Sequence, residues 1–191
     1  PATRKTLIGD IMGAISFSLD AILLRTLLTL ADFDLFVETG TYQGDTVALA
    51  RAYFAEVISI ECDATLAPAA AARFAHDAQV TVLEGSSDQC LAQMQPQLRQ
   101  RRVLYWLDAH WCASPNSADN APPATAYCPL LRELAAIQQL NPHSVILIDD
   151  ARLFIAPPVA PHPVAQWPRF QAILAALQGL NPDHRLLICN D

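Results

Sequence analysis

Apolar positions along this chain follow two periods that take turns. Short continuous apolar runs fall at 35–38, 57–61, 80–83, 103–107, 144–148 and 185–189, each of strand length. Between them the period lengthens. Apolar residues at 19, 22, 23, 27 and 30 mark one amphipathic helix over 19–30, and helices are predicted over 46–54, 64–78, 88–100, 129–140 and 170–180. The 64–78 segment is nearly all alanine with Pro68 near its start, and Pro129 opens the helix that follows it in the pattern. Strands that read as unbroken apolar runs and alternate with helices predict an α/β fold, a mostly parallel sheet with helices on both faces. Two stretches, 112–128 and 151–168, lack either period and are expected to be irregular; loops this long in a compact domain are usually functional.

Polar residues are not scattered at random over this pattern. The first strand ends in Glu38, the second in Glu61, the fourth leads into Asp108 and the fifth into Asp149-Asp150. The glycine-bearing segments Glu38–Thr46 and Gly85-Ser86-Ser87 also follow strands. In open α/β sheets, ligands bind at the carboxyl ends of the strands. Gly40 and Gly44, four apart between a strand and a helix, supply a tight turn on which a ligand can lie close. Glu61 sits about twenty residues past that turn, where a carboxylate accepts the hydroxyls of a ribose; a helix cap or a solvated strand end is the plainer reading. If strands four and five are neighbours, Asp108, Asp149 and Asp150 converge. Three such carboxylates ionise together only at high cost unless they share a cation, and an all-oxygen set suits Mg²⁺, Ca²⁺ or Mn²⁺. The alternative is that Asp149-Asp150 cap a turn. His110, two residues past Asp108, has an imidazole suited to a general base, a ligand or a substrate contact.

Composition narrows the partner. The 191 residues are 52% hydrophobic and 16% charged, enough for a large core, and one domain is expected over 1–191, with a helical segment over 1–31 packing on it. A formal charge of −7 with 12 Lys+Arg leaves no basic face for a nucleic-acid backbone, so a small molecule is the expected partner. The apolar run 7–30 is interrupted by Asp10, Asp20 and Arg25, which argues against a membrane span and against a signal peptide. Five cysteines without a CxxC pair indicate neither a zinc ribbon nor a thioredoxin-type site. Reduced thiols and a cytoplasmic location are expected, although Cys112 and Cys128 flank one loop and could bridge.

The turn E-T-G-T-Y-Q-G-D-T, with Tyr42 where a dinucleotide fingerprint wants a small residue, resembles the first motif of class I S-adenosylmethionine-dependent methyltransferases. Together with L-D after strand four and I-D-D after strand five, it looks most like the macrocin and aminocoumarin type of sugar O-methyltransferase. The resemblance implies the Rossmann-like fold of that class, S-adenosylmethionine as cofactor, and a hydroxyl-bearing acceptor. It places Gly40, Tyr42 and Gly44 along the methionine part, with Glu38 and Thr46 of the same turn also binding the cofactor, Glu61 at the ribose, Ser86 (with Ser87) at the adenine and Asp108 near the sulfonium. It also implies a divalent ion, Mg²⁺, on Asp108, Asp149 and Asp150, where it helps a hydroxyl lose its proton. His110 then stands where those enzymes carry a second acid as base. The class ends in an antiparallel hairpin, which here would be incomplete, since the chain stops at Asn190-Asp191. A nicotinamide-dependent oxidoreductase and a cofactor-binding protein without turnover are the competing readings, and a homodimer is the assembly considered.

Overall fold

A computed structural model describes residues 19–110, 128–156 and 164–187. Five strands form one sheet: β1 (Leu35–Thr39), β2 (Val57–Glu61), β3 (Val80–Glu84), β4 (Val103–Leu107) and β5 (Val145–Ile148). Their order is β3-β2-β1-β4-β5 and every pairing is parallel. The winding reverses at β1, which has β2 on one side and β4 on the other. That is the topological switch point, where two crossovers leave in opposite directions and open a crevice above the strand ends. The register pairs Thr39 with Leu107, so Gly40 and Asp108 leave the sheet side by side.

Helix α1 (Ala21–Leu30) is started by Asp20, whose Oδ1 accepts the amides of Ile22 and Leu23 at 2.8 and 2.7 Å. The other helices are α2 (Asp45–Ala50), α3 (Leu66–Arg73), α4 (Ser87–Leu98), α5 (Leu130–Ile137), α6 (Ala151–Ile155) and α7 (Phe170–Leu180). Successive strand residues point to opposite faces, and both faces are covered. Leu35, Val37, Val103, Tyr105 and Leu107 pack under α4, α5 and α7. Phe36, Leu104 and Trp106 pack with Leu24 of α1, Val47 and Ala50 of α2, Phe54 and Phe74. Burial on both sides is why these strands read as continuous apolar runs.

Three expectations are corrected. The alanine segment is helical only over Leu66–Arg73, because Phe74 turns into the core and Asp77 then accepts the Gln79 amide, turning the chain into β3. The stretch 151–168 is not wholly irregular: it holds α6 and a 3₁₀ turn at Val164–Gln166, both too short to show a period. Residues 185–187 form no strand, and 188–189 lie outside the described residues. Among the described residues β5 has β4 as its sheet neighbour and none on its other edge. The expected segment before residue 19 and most of the loop 112–128 also lie outside them. Cys128 is a free thiol, and no described helix is long and apolar enough to cross a membrane.

Candidate functional site at the carboxyl edge of the sheet

The turn after β1 is built from three consecutive demands on backbone geometry. Gly40 sits at φ +84, and a Cβ there would stand 3.0 Å from the Asp108 carbonyl and 3.1 Å from the Ala109 Cα. Only glycine lets β1 and β4 come this close. Gly44, at φ +82, caps α2, its missing Cβ leaving room for the Phe74 ring. Tyr42 lies between them at φ +47, a conformation that costs a bulky residue energy and is retained mainly at functional turns. Its ring is exposed. Arg73 donates to the Gln43 carbonyl and to Asp45 Oδ1, tying the turn to α3.

Two acids hold the turn from below. The Tyr42 amide donates to Glu61 Oε2 at 2.8 Å, and the Asp63 amide donates to Oε1 at 3.0 Å. Each Glu61 oxygen keeps a lone pair, and the carboxylate is fixed against the glycine turn. Glu38 is fully buried; the Ser59 hydroxyl donates to its Oε2, and Ser59 in turn shares a 2.6 Å hydrogen bond with Thr41. Burial pushes the Glu38 pKa up to about 8, against the pull of Ser59 and Thr46 and with help from the charges of Asp108 and Glu61. Thr46 is thus a support of Glu38 at the start of α2.

Ser86 precedes α4, and its hydroxyl donates to Asp88. Ser87, at the first position of α4, is buried beside a residue that sequence reasoning passed over. Glu133 of α5 is 1% exposed and stands among the hydroxyls of Ser87 and Thr39. Desolvation raises its pKa to about 7, and those two hydroxyls oppose the rise. The signal was present: Leu130, Glu133, Leu134 and Ile137 fall at i, i+3, i+4 and i+7, so an acid interrupts the apolar face of the helix.

Asp108 and Asp150 converge as the neighbouring strands predict, with His110 between them. His110 Nδ1 lies 3.6 Å from Asp108 Oδ1 and Nε2 lies 3.4 Å from Asp150 Oδ2. One ligand atom from each of the three residues falls within 4.8 Å of the others. Oxygens and an imidazole nitrogen at that spacing suit a divalent cation, whose bonds to such atoms run about 2.0–2.6 Å. Asp149 belongs to the same wall, its Oδ1 accepting the Asp150 amide at 2.7 Å. Burial and the negative charges of Asp108 and Asp150 raise its pKa to about 6. Asp150 adopts φ +54, which re-aims the chain into α6, and Arg152 donates to Asp150 Oδ1 at 2.9 Å. A cavity of ≈ 10 Å³, room for about one water or ion, is lined by Asp108, His110, Glu133, Asp149, Asp150 and Trp167 among others. Trp167 stacks obliquely on His110 and Phe154, with ring centroids 5.8 and 5.5 Å apart. Trp111 and Tyr127, which border the loop 112–128 in the sequence, lie outside the described residues.

No protein-family model and no curated protein match this chain. Solved structures do. A structure titled a putative caffeoyl-CoA O-methyltransferase from Staphylococcus aureus superposes with a TM-score of 0.53 at 14% identity, over 78% of this chain and 66% of that one. The S-adenosylhomocysteine-bound methyltransferase PaMTH1 of Podospora anserina gives 0.52 at 16% identity, over 85% and 68%. The [4+2]-cyclase SpnF gives 0.51 at 12% identity, over 83% and 56%. The chain thus spans between 56 and 68% of the length of these three structures. Its fold is the Rossmann-like α/β architecture of the methyltransferases, a parallel five-stranded sheet flanked by helices.

Proposed function

We propose that this protein is an S-adenosylmethionine-dependent methyltransferase that methylates a hydroxyl of a small acceptor, with a divalent cation held by Asp108, Asp149 and Asp150. The observation that carries the reading is the hydrogen bond from the Tyr42 amide to Glu61 Oε2 at 2.8 Å. It clamps a carboxylate able to accept a diol against a glycine turn that sits at the topological switch point. Gly40, Tyr42 and Gly44 with Glu38 and Thr46 beneath them would hold the methionine end, Glu61 the ribose and Ser86 the adenine. When bound, S-adenosylmethionine supplies an electrophilic methyl group; when bound, the cation, Mg²⁺ or a similar ion, supplies Lewis acidity toward the acceptor hydroxyl.

His110 would take the proton of that hydroxyl. Asp108 and Asp150 flank its ring nitrogens and favour the imidazolium that forms, which is how a carboxylate partner assists a histidine base. Trp167 and Phe154 wall the acceptor side and keep water from the reacting atoms. Asp149, whose pKa burial and the neighbouring carboxylates raise to about 6, would hold the cation in its ionised form. The chain would work as a single domain, 1–31 included, on a small molecule rather than a nucleic acid, in the cytoplasm and as a monomer or homodimer. The acceptor would be a small polyol, sugar or phenol, in keeping with the resemblance of the turn to the sugar O-methyltransferases.

Calorimetry with S-adenosylhomocysteine tests it. The folded protein is expected to bind, and Glu61→Ala to weaken binding at least about tenfold, the scale of a lost charged hydrogen bond. A well-folded protein that takes up no S-adenosylhomocysteine refutes the reading.

A further inference from the structure

A divalent cation needs its carboxylates held still, and Asp150 is the hardest of the three to hold. It takes φ +54 where β5 passes into α6, a conformation that costs a non-glycine residue energy unless its surroundings fix it. Its backbone is fixed at both ends: Asp149 Oδ1 accepts its amide at 2.7 Å, and its carbonyl accepts the Leu153 amide at 2.8 Å. Its side chain is fixed by Arg152, whose guanidinium donates to Oδ1 at 2.9 Å. Oδ2 is left on the other side, 3.4 Å from His110 Nε2, and one ligand atom of Asp150 falls within 4.8 Å of those of Asp108 and His110.

Charge points the same way. Three ionised carboxylates exceed one divalent ion by a single negative charge, and like charges this close are costly unless balanced. Among the described residues, Arg152 is the one guanidinium paired with any of Asp108, Asp149 and Asp150. The pair does little for the fold: the Arg152 side chain is 55% exposed, and ion pairs of that kind contribute about 0–1 kcal/mol. We propose that Arg152 is a positioning residue of the cation site: it pins Asp150 Oδ1 so that Oδ2 meets the ion, and its charge completes the balance of the three carboxylates. Partners of this kind carry much of a metal site's affinity although they never touch the ion. This rests on the cation reading and adds to it the residue that orients one ligand.

Calorimetry on the full chain with Mn²⁺, and separately with Ca²⁺, tests it. The wild-type protein is expected to bind Mn²⁺, and Arg152→Met to bind it at least about tenfold more weakly, the scale on which losing an outer partner weakens a metal site. Ca²⁺, which accepts a looser ligand geometry, should lose at least about threefold less. Without ions, Tm should shift by no more than about 3 °C, the scale of an exposed ion pair. Arg152→Lys keeps the charge on a flexible stem and is expected to stay within about threefold of the wild type. Arg152→Gln, neutral and shorter, is the second variant should the methionine form not fold, with the same loss expected. Mn²⁺ binding unchanged in the neutral variants overturns the inference, and so does tighter binding, the result if Arg152 merely occupies Asp150 in place of the ion. Equal losses for the two ions, the mark of a charge acting at a distance, overturn it as well, as does a loss that Arg152→Lys fails to relieve. A folded wild-type protein that binds neither ion overturns the cation reading along with this one, whereas Mn²⁺ binding that Arg152→Met leaves intact overturns this one alone.

Discussion

Replacing Glu38 with glutamine should flatten the fall of stability with pH. Glu38 is 1% exposed at the end of β1, and its carboxyl holds its proton to about pH 8 instead of 4.5. Below pH 4.5 the group is neutral in the folded and unfolded chain alike, and stability is full. As pH rises further the unfolded chain ionises while the folded one keeps its proton, so stability falls, levelling off above about pH 8. The span from 4.5 to 8 corresponds to a loss of about 5 kcal/mol at 1.36 kcal/mol per unit, an upper bound for one group. The window from pH 7 to 8 suits the comparison, since Asp149, raised to about 6, is by then largely ionised, and Glu133, raised to about 7, titrates in both proteins alike.

In that window the Glu38 contribution amounts to about 1 kcal/mol, or about 3 °C in Tm for a chain of this size. Thermal unfolding of the wild type and Glu38→Gln in matched buffers at pH 7 and 8 measures it. Subtracting one from the other cancels the histidines and the remaining acids. The glutamine carbonyl oxygen can still accept the Ser59 hydroxyl, so the variant should fold, and its Tm should fall about 3 °C less than that of the wild type between the two pH values. Identical pH slopes for the two proteins would refute the argument that Glu38 is held neutral by burial.

Two further outcomes follow from the same geometry. Both glycines sit at positive φ, but Gly40→Ala forces a Cβ to within 3.0 Å of the Asp108 backbone carbonyl, whereas Gly44→Ala meets the edge of the Phe74 ring, a side chain that can move. The φ strain of about 1–2 kcal/mol is common to both, so the backbone clash should make Gly40→Ala lower Tm more and cost more S-adenosylhomocysteine affinity; equal losses in the two variants would contradict the packing argument. Mg²⁺ or Mn²⁺ in large excess should raise Tm, by about 2.7 kcal/mol of stabilisation at a hundredfold over Kd, with EDTA reversing the gain and Asp150→Asn abolishing it. A thermal shift that survives Asp150→Asn would place the ion elsewhere.

The strand and helix pattern was legible because it is local. A parallel strand covered on both faces must be apolar throughout, as Leu35, Phe36 and Val37 in β1 and Val103 and Leu104 in β4 show, and a helix must repeat its buried face every turn. The glycine turn was legible for the same reason, since Gly40 and Gly44 are demanded by the backbone at their own positions. Where local cues failed, tertiary packing had overridden them. Alanine propensity carries past residue 73, but Phe74 leaves the helix to fill the space beneath Gly44. Five-residue α6 cannot show a period at all.

The site divides along the same line. Sequence alone determined that acids and glycines follow the strands, because each strand end is marked by its own residues. It could not determine which of those acids meet. That depended on β4 and β5 being neighbours and on Asp150 turning through a positive φ, which brings its carboxylate to His110 and leaves Asp149 at the wall. It depended also on the rotation of α5, which carries Glu133 inward to Thr39 and Ser87, residues far from it in the chain. A side chain's own type and spacing set its local conformation, but its partners are set by strand order and helix rotation, and those exist only once the sheet has closed.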